Sequence, residues 1–275
     1  MLTRSNLATE VAKLIKQLPP FPQVVVQILD MLHDEDASLD AITRLTRNDP
    51  VITSSVLATA NHIRRLHAQP DVYDPFLAAS LIGLNQFRRI VVSAALNKFI
   101  GQDKGAAFLL QHSRAVAIVA QELAMLCGVS PEKAYIAGIL HDVGQLYFHV
   151  LDPERFQAVQ AQSALDGRLL DHEAEAFGLD HAVVGGELAR QWELPEAFAL
   201  AIEAHHEMLV ATSPLQAVVN VAESLTRALD LPPSPKNHLS RINLVAVAHL
   251  GIDWHSQEMH DCFGRCRARF GLLKF

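Results

Sequence analysis

The chain has 275 residues, half of them hydrophobic, with a formal net charge of -7, and this length could form one large domain or two lobes. The negative charge argues against wrapping of nucleic acid, because that affinity comes largely from Lys and Arg contacts to phosphate. No apolar run reaches the roughly 20 residues of a membrane span, and the amphipathic opening MLTRSNLATEVAKLIKQ is not a signal peptide. Together with three cysteines, too few for a disulfide framework, this predicts a cytoplasmic protein without membrane contact.

Apolar residues recur at helical spacing along almost the whole chain, and strand-like alternation is nearly absent. Asp74-Pro75 and Ser130-Pro131 are predicted to begin two helices, and Asp180 is predicted to cap a third. Gly83 and Gly178 stand where helix C-caps are expected. The pattern predicts an all-α protein of about a dozen helices.

Histidines are distributed unevenly, since residues 1–104 contain three of them and the remainder contains eleven of the fourteen. We predict two helical lobes, an N-terminal lobe over residues 1–104 and a second lobe over residues 105–230 that carries any chemistry. The polar link GQDKGAA marks the boundary between them. The Pro-rich loop LPPSPKNHLS begins a C-terminal helical extension over residues 231–275.

Two features of the C-terminal extension have ligand-binding chemistry. The segment RCRARFGLLKF is basic, and its simpler interpretation is a solvated helix end, not a contact with nucleic acid or membrane. A set of zinc-type ligands is also present, but their order and spacing match no two-by-two zinc knuckle. These residues are His255, His260, Cys262 and Cys266.

A second group of ligand-type side chains lies in the predicted second lobe. Divalent-metal sites in helical folds draw single imidazoles and carboxylates from several helices, with a carboxylate available to bridge two ions. Several of the candidates stand at predicted helix ends, which could converge on one cleft. They are His112, His141, Asp142, His181, His205, His206 and Glu223.

Each candidate also has a purely structural interpretation. A buried histidine is often satisfied by a backbone carbonyl, and Asp142 could cap a neighbouring helix or pair with Arg114. The histidines could also hydrogen-bond to one another and to Asp142 or Glu223, which would stabilise the lobe without any metal. That interpretation predicts that Asp142→Asn lowers stability and leaves the metal content unchanged.

The series His112, His141-Asp142, His181, His205-His206 and Glu223 resembles the HD superfamily of metal-dependent phosphohydrolases, including its HD-GYP branch of cyclic dinucleotide phosphodiesterases. The surrounding segments are more similar to the HDOD domain, a bacterial signalling output module. This similarity extends from about residue 18 to residue 228 and rests on LPPFPQVVVQILDML, ITRLTRNDPVITSSVLATANHI, ASLIGLNQFRRIVVSAAL, AGILHDVGQLYF, EAFGLDHAVVGGELARQWELP and AIEAHHE.

The resemblance implies that the second lobe is an HD-type helical bundle with one or two divalent ions of Fe, Mn, Zn or Ni. One ion would be held by His112, His141, Asp142 and Glu223. Asp142 would bridge to a second ion held by His181 and His205, with His206 beside them. Such ions polarise a phosphoryl oxygen and lower the pKa of a bridging water. In an active hydrolase, Asp142 and His141 would be the catalytic residues.

Three departures from active relatives argue against catalysis. Glu223 replaces the usual aspartate and is one methylene longer. Gln145 stands where the HD-GYP branch has a lysine that holds substrate phosphate, and glutamine cannot supply that charge. The segment MLVATSPLQ follows HHE where the GYP loop is expected.

Gln145 and Arg114 remain candidate ligand-binding residues, and Arg155 and Arg190 are further cations that could reach the cleft. The sequence therefore predicts a regulatory HDOD module that acts in trans on a signalling protein or a phosphorylated small ligand. The alternative is a metal-dependent phosphohydrolase acting on a nucleotide or a cyclic dinucleotide.

Overall fold

The computed structural model describes residues 24, 27, 50–100, 104–207, 213–234 and 242–272. In these ranges every element of regular secondary structure is an α-helix, which confirms the predicted all-α fold. The predicted amphipathic helix at the N-terminus lies outside the described residues, as do residues 101–103 of the predicted link and 235–240 of the Pro-rich loop. None of the described helices is long and apolar enough to cross a membrane.

The chain divides into two compact units. The N-terminal unit comprises Pro20–Gln102, and the C-terminal unit comprises Met1–Pro19 together with Asp103–Phe275. The segment that carries the candidate ligands and the C-terminal helices therefore belong to the same unit.

The described helices of the N-terminal unit pack against one another, and they are α1 (Pro50–Leu66), α2 (Pro75–Ile82) and α3 (Leu84–Ile100). As predicted, Asp74 caps α2, because its carboxylate accepts a hydrogen bond from the Leu77 N–H. Gly83 ends the same helix with a φ of 80°, a conformation that favours glycine.

The described helices of the C-terminal unit begin mostly at capping residues, and the predicted caps Ser130 and Asp180 both accept a backbone hydrogen bond. In chain order the helices are α4 (Lys104–Cys127), α5 (Pro131–Leu140), α6 (Val143–Leu151), α7 (Pro153–Asp166), α8 (Leu169–Phe177), α9 (His181–Gln191), α10 (Glu196–Glu203), α11 (Pro214–Ala228), α12 (Leu244–Leu250) and α13 (Gln257–Gly271).

The long helix α4 lies at the centre of this unit and contacts α5, α6, α11 and α13. Residues 115–120 of α4 are all buried, because the segment AVAIVA presents small and branched apolar side chains on every face. Gly138 lets α5 lie directly on α4, since a Cβ at this position would stand 2.8 Å from the Ala117 Cα.

The C-terminal helix α13 is attached to α4 through a buried carboxylate. Arg265 Nε donates to Glu122 at 2.6 Å, and Arg269 Nη1 donates to the other Glu122 oxygen at 2.5 Å. Cys266 and Phe270 of the same helix are buried. The basic segment is therefore solvated on one face only, because two of its arginines also bind a carboxylate in the core.

The zinc-type residues of the C-terminal extension do not converge. Among the described residues, no group of three or more metal-capable side chains includes His255, His260, Cys262 or Cys266.

Candidate metal centre

The predicted ligands come from separate helices and meet in one buried cluster. His112 lies in α4, Glu223 lies in α11, and His181 is the first residue of α9. The pair His141-Asp142 forms the junction between α5 and α6, and His205-His206 lie in the turn after α10. Helix ends supply most of the ligands, because a side chain at a helix end can point along the axis towards a neighbouring helix.

Two groups of ligand atoms could each hold a metal ion, because within each group the atoms lie within 4.8 Å of one another. We call them the four-residue half-site (Asp142, His181, His205 and His206) and the three-residue half-site (His112, His141 and Glu223). The structure thus brings together all seven predicted ligands.

In the four-residue half-site, three imidazole nitrogens crowd around one point. His181 Nε2 lies 3.3 Å from His205 Nε2 and 3.1 Å from His206 Nε2. Asp142 Oδ1 lies 3.2 Å from His181 Nε2 and 3.5 Å from His205 Nε2. Ligand atoms bound to one tetrahedral ion at about 2.0–2.1 Å lie about 3.3 Å apart, so these separations fit a bound ion.

In the three-residue half-site, Glu223 reaches the imidazoles despite its extra methylene. Its Oε2 lies 2.8 Å from His112 Nε2 and 3.4 Å from His141 Nε2. Asp142 Oδ2 adds a fourth ligand atom at 3.3 Å from His141 Nε2 and 3.8 Å from His112 Nε2.

Asp142 therefore directs one oxygen at each half-site, which is the arrangement of a bridging carboxylate. Asp142 is also the residue before α6, where an aspartate often caps the helix, but its side chain makes no capping hydrogen bond. Arg114 is not its partner either, because the charged contacts of Asp142 are with imidazoles.

The histidines are oriented by hydrogen bonds on their other ring nitrogen. His141 Nδ1 donates to the Gly138 carbonyl at 2.7 Å, and His205 Nδ1 donates to the Ile202 carbonyl at 2.6 Å. Because a carbonyl oxygen can only accept, each Nδ1 carries a proton and Nε2 faces the cluster. Such partners fix the tautomer and the ring orientation of metal-binding histidines.

Two residues that were not predicted from the sequence support the cluster. Glu173 Oε2 accepts from both His181 Nδ1 at 2.6 Å and the His181 N–H at 2.9 Å. Arg227 Nε donates to Glu223 Oε1 at 2.5 Å. The spacing of Arg227, four residues after Glu223 on a helix, was a usable signal. Glu173 had none, because its contact with His181, eight residues later, depends on the conformation of the turn between α8 and α9.

A third unpredicted residue, Asn220, holds the histidine-bearing turn against α11. Its side-chain amide donates to the backbone carbonyls of His205 and Glu207, both at 2.8 Å. Asn220 and Glu223 are three residues apart on α11, so one face of this helix contacts both half-sites.

The charges within the cluster support one another. Burial alone would raise the pKa of Asp142, but His141 and the other imidazoles hold that pKa well below its usual value. Burial also opposes the charge of His141, yet Asp142 and Glu223 raise its pKa to about 10. Burial, His205 and His181 lower the pKa of His206 well below its usual value. The carboxylates therefore require positive charge nearby, which protons supply when no metal is bound.

Within the described residues, two buried atoms of the cluster, His141 Nε2 and Asp142 Oδ2, make no well-aligned hydrogen bond, although they lie 3.3 Å apart. An unpaired buried polar atom is unfavourable by about 1–3 kcal/mol. His141 Nε2 belongs to the three-residue half-site, and Asp142 Oδ2 is the oxygen of the bridging carboxylate that faces this half-site. The imidazole and carboxylate chemistry and the unpaired atoms together fit a divalent ion such as Fe, Mn, Zn or Ni.

The glycine of the HDVG motif allows the two helix starts to meet. A Cβ on Gly144 would stand 2.1 Å from the His181 carbonyl oxygen and 2.9 Å from its Cα, which is too close for any side chain. Gly144 therefore sets the distance between Asp142 and His181.

Within the described residues, no side-chain hydrogen bond or ion pair joins the other predicted ligand-binding residues to the cluster, although the Gln145 N–H donates to the Asp142 carbonyl at 2.9 Å. Arg114 lies about 200° around α4 from His112, and its charged neighbour is Tyr135. Gln145 is buried at 3% exposure. Arg155 pairs with Asp152, and Arg190 pairs with two glutamates of α10.

Solved structures with the same fold cover almost the whole chain. An HDOD domain protein of unknown function from Geobacter sulfurreducens gives a TM-score of 0.71 at 22% identity, covering 98% of this chain and 100% of that chain. A candidate phosphohydrolase from Shewanella amazonensis SB2B gives a TM-score of 0.67 at 25% identity, covering 94% of this chain and 98% of that chain.

Curated relatives match over part of their length. An uncharacterized protein of Treponema pallidum (strain Nichols) is 26% identical over 235 residues, which are 82% of this chain and 45% of the relative. Ribonuclease Y of Syntrophobacter fumaroxidans (strain DSM 10017 / MPOB) is 31% identical over 120 residues, 44% of this chain and 18% of the relative. The chain thus spans less than half the length of these relatives.

The family model of the HDOD domain matches residues 18–208. This range contains every residue of the cluster except Glu223, and the resemblance predicted from the sequence is confirmed. The chain belongs to the HDOD domain family.

Proposed function

We propose that the chain is a bacterial signal-transduction module whose cluster binds a divalent metal ion for regulation, without turnover. The observation that carries this proposal is the burial of the cluster, since His141 and His181 have exposures of 0% and Asp142 and His205 of 1%. A catalytic metal site keeps one coordination position open for substrate. Of the seven ligands only His206 is half-buried, and the other six are buried. A cluster with so little access is suited to holding an ion more than to exchanging substrate for product.

The cations near the cluster support the same proposal. Within the described residues, Arg227 is the only lysine or arginine that is hydrogen-bonded to a cluster residue, and it binds Glu223. Gln145 supplies no charge for a substrate phosphate. Arg155 and Arg190 are held by carboxylates elsewhere. Among the residues that the structure describes, a phosphorylated substrate would therefore meet no free cation at this site.

Metal binding would stabilise the packing of the C-terminal unit, because the ligands lie on α4, α9 and α11 and in the two turns at His141-Asp142 and His205-His206. Binding an ion to the native state stabilises that state by mass action. The occupied and the empty cluster would therefore present helical surfaces of different rigidity. We propose that these surfaces bind a signalling protein or a phosphorylated small ligand in trans.

The test is a hydrolysis panel on protein loaded separately with Fe, Mn, Zn and Ni. The panel contains phosphomonoesters, nucleotides, cyclic dinucleotides and a short RNA. The proposal predicts no turnover above that of Asp142→Asn protein prepared in the same way. Hydrolysis of any substrate that both His141→Ala and Asp142→Ala abolish would overturn the regulatory proposal.

The second candidate function is a metal-dependent phosphohydrolase acting on a nucleotide or a cyclic dinucleotide. The observation that favours it is the complete ligand set with Asp142 facing both half-sites, since paired ions bridged by a carboxylate can polarise a phosphoryl oxygen. In that case His141 and Asp142 would be catalytic residues. Metal-loaded protein that is inert across the panel would remove this candidate.

A further inference from the structure

The two half-sites differ in the charges that lie behind their ligands. Behind the four-residue half-site is Glu173, whose exposure is 0% and whose Oε2 binds the imidazole of His181. The Glu173 Oε1 atom is buried and has no hydrogen-bond partner among the described residues. A carboxylate bound to the far nitrogen of a histidine makes that imidazole a more basic metal ligand. The negative charge of Glu173 thus adds to that of Asp142 and strengthens metal binding at this half-site.

Behind the three-residue half-site is the cation Arg227. It holds one oxygen of Glu223 at 2.5 Å, and only 25% of its side chain is exposed. An arginine cannot lose its charge in a protein, so it repels a divalent ion bound to the same carboxylate. This repulsion is weakly screened, because the Glu223 side chain is only 5% exposed.

We infer that the half-sites bind metal unequally, the four-residue half-site tightly with the help of Glu173 and the three-residue half-site weakly because of Arg227. When metal suffices for one site only, the four-residue half-site would be filled, and Asp142 would contribute one of its oxygens to it. Arg227 then balances the charge of Glu223 while the three-residue half-site is empty. This inference rests on the metal binding in the proposed function and adds the order in which the two positions fill.

A competing role for Arg227 predicts the opposite effect. A hydrogen bond to a ligating carboxylate also orients it, and loss of such a partner weakens metal binding. Arg227 and Glu173 each hydrogen-bond to a metal ligand and act through it, so both are positioning residues. The two roles of Arg227 are distinguished by the direction in which metal affinity changes when Arg227 is replaced: repulsion predicts tighter binding and orientation predicts weaker binding.

The experiment is isothermal titration of chelator-stripped full-length protein with Zn²⁺ alone. The proteins are wild type, Arg227→Met, Arg227→Lys and Glu173→Gln. Wild type should show two classes of site whose dissociation constants differ by at least about 10-fold. Arg227→Met should tighten the weaker class about 10-fold, because it removes the cation and keeps a side chain of similar length. Arg227→Lys retains the charge and should leave both classes near wild type.

Glu173→Gln should weaken the tighter class by roughly 10–100-fold and leave the weaker class unchanged. Far-UV circular dichroism and thermal unfolding establish that each variant is folded before titration. Two sites of equal affinity in wild type, or weaker Zn²⁺ binding in Arg227→Met, would overturn the inference. Either result would still support the proposed metal binding. Absence of any Zn²⁺ binding would overturn both.

Discussion

The side chain of Asp142 joins both half-sites, because Oδ1 lies near His181 and His205 while Oδ2 lies near His141 and His112. A carboxylate is the only side chain that can offer an anionic ligand atom in two directions at this position. The structural alternatives for Asp142 are weakened by the absence of a capping hydrogen bond and of an ion pair with Arg114.

At the scale of single residues, Gly144 should also be intolerant of substitution. Gly144→Ala places a Cβ against the backbone of His181, which cannot move without shifting the start of α9. We expect the free energy of unfolding to fall by roughly 2–3 kcal/mol and metal affinity to fall with it. Urea denaturation and metal titration measure the two effects.

The control for Gly144→Ala is Gly264→Ala in α13. A Cβ at Gly264 meets nothing within 4 Å, and the residue lies inside a helix. Alanine should therefore increase stability by up to roughly 1 kcal/mol through helix propensity. Equal effects of the two substitutions would show that the close approach of Gly144 to His181 does not limit the fold.

At the scale of elements, the docking of α13 on α4 depends on Glu122, whose side chain is 2% exposed. Replacing both Arg265 and Arg269 with alanine leaves this carboxylate buried without a cation, and we expect a loss of roughly 3 kcal/mol in unfolding free energy. Glu122→Gln keeps the shape and one acceptor, and should lower stability less, by roughly 1 kcal/mol.

Thermal and urea unfolding of the double arginine variant and of Glu122→Gln decide this prediction. A larger loss in Glu122→Gln than in the double variant would mean that the two arginines repel each other more than they stabilise α13.

The sequence predicted elements whose signals are local. Asp74, Ser130 and Asp180 each cap a helix through a backbone N–H three residues ahead, so their roles can be read from a short segment. The docking of α13 could not be predicted, because Glu122 and Arg265 are 143 residues apart in the chain. Such a contact depends on tertiary packing.

The seven candidate ligands were predicted from their chemistry, their positions near helix ends and an order that resembles a family pattern, and the structure places them together. Their supporting residues differ in how far they could be predicted. Arg227 follows Glu223 by one helical turn and was open to prediction. Glu173 was not, because its contact with His181 depends on the conformation of the turn between α8 and α9.

At the scale of the whole molecule, metal binding should depend on pH. Burial lowers the pKa of His141 and His181, but neighbouring carboxylates outweigh it, raising the pKa of His141 to about 10 and that of His181 well above its usual value. Both imidazoles thus hold a proton at neutral pH when no metal is bound, and an ion at Nε2 must displace it. Affinity should therefore rise with pH.

Competition of Zn²⁺ between the protein and a chelator at pH 6, 7 and 8 measures this dependence. After correction for the chelator, we expect the affinity to increase by roughly 10-fold per pH unit for each proton that the metal displaces. An affinity that is constant over this range would mean that the ion does not bind at His141 or His181.

The central claim is that the buried cluster binds a divalent metal ion with Asp142 as a ligand. Elemental analysis of purified wild type, Asp142→Asn and Asp152→Asn tests it most directly. Asp152 is a matched control, since it caps α7 outside the cluster and asparagine can make the same hydrogen bond.

We predict at least about one equivalent of Fe, Mn, Zn or Ni in wild type and in Asp152→Asn, and a small fraction of that amount in Asp142→Asn. Asp142→Asn protein that is less stable but has the same metal content as wild type would contradict the claim. It would mean that the imidazoles and carboxylates stabilise the fold by binding one another.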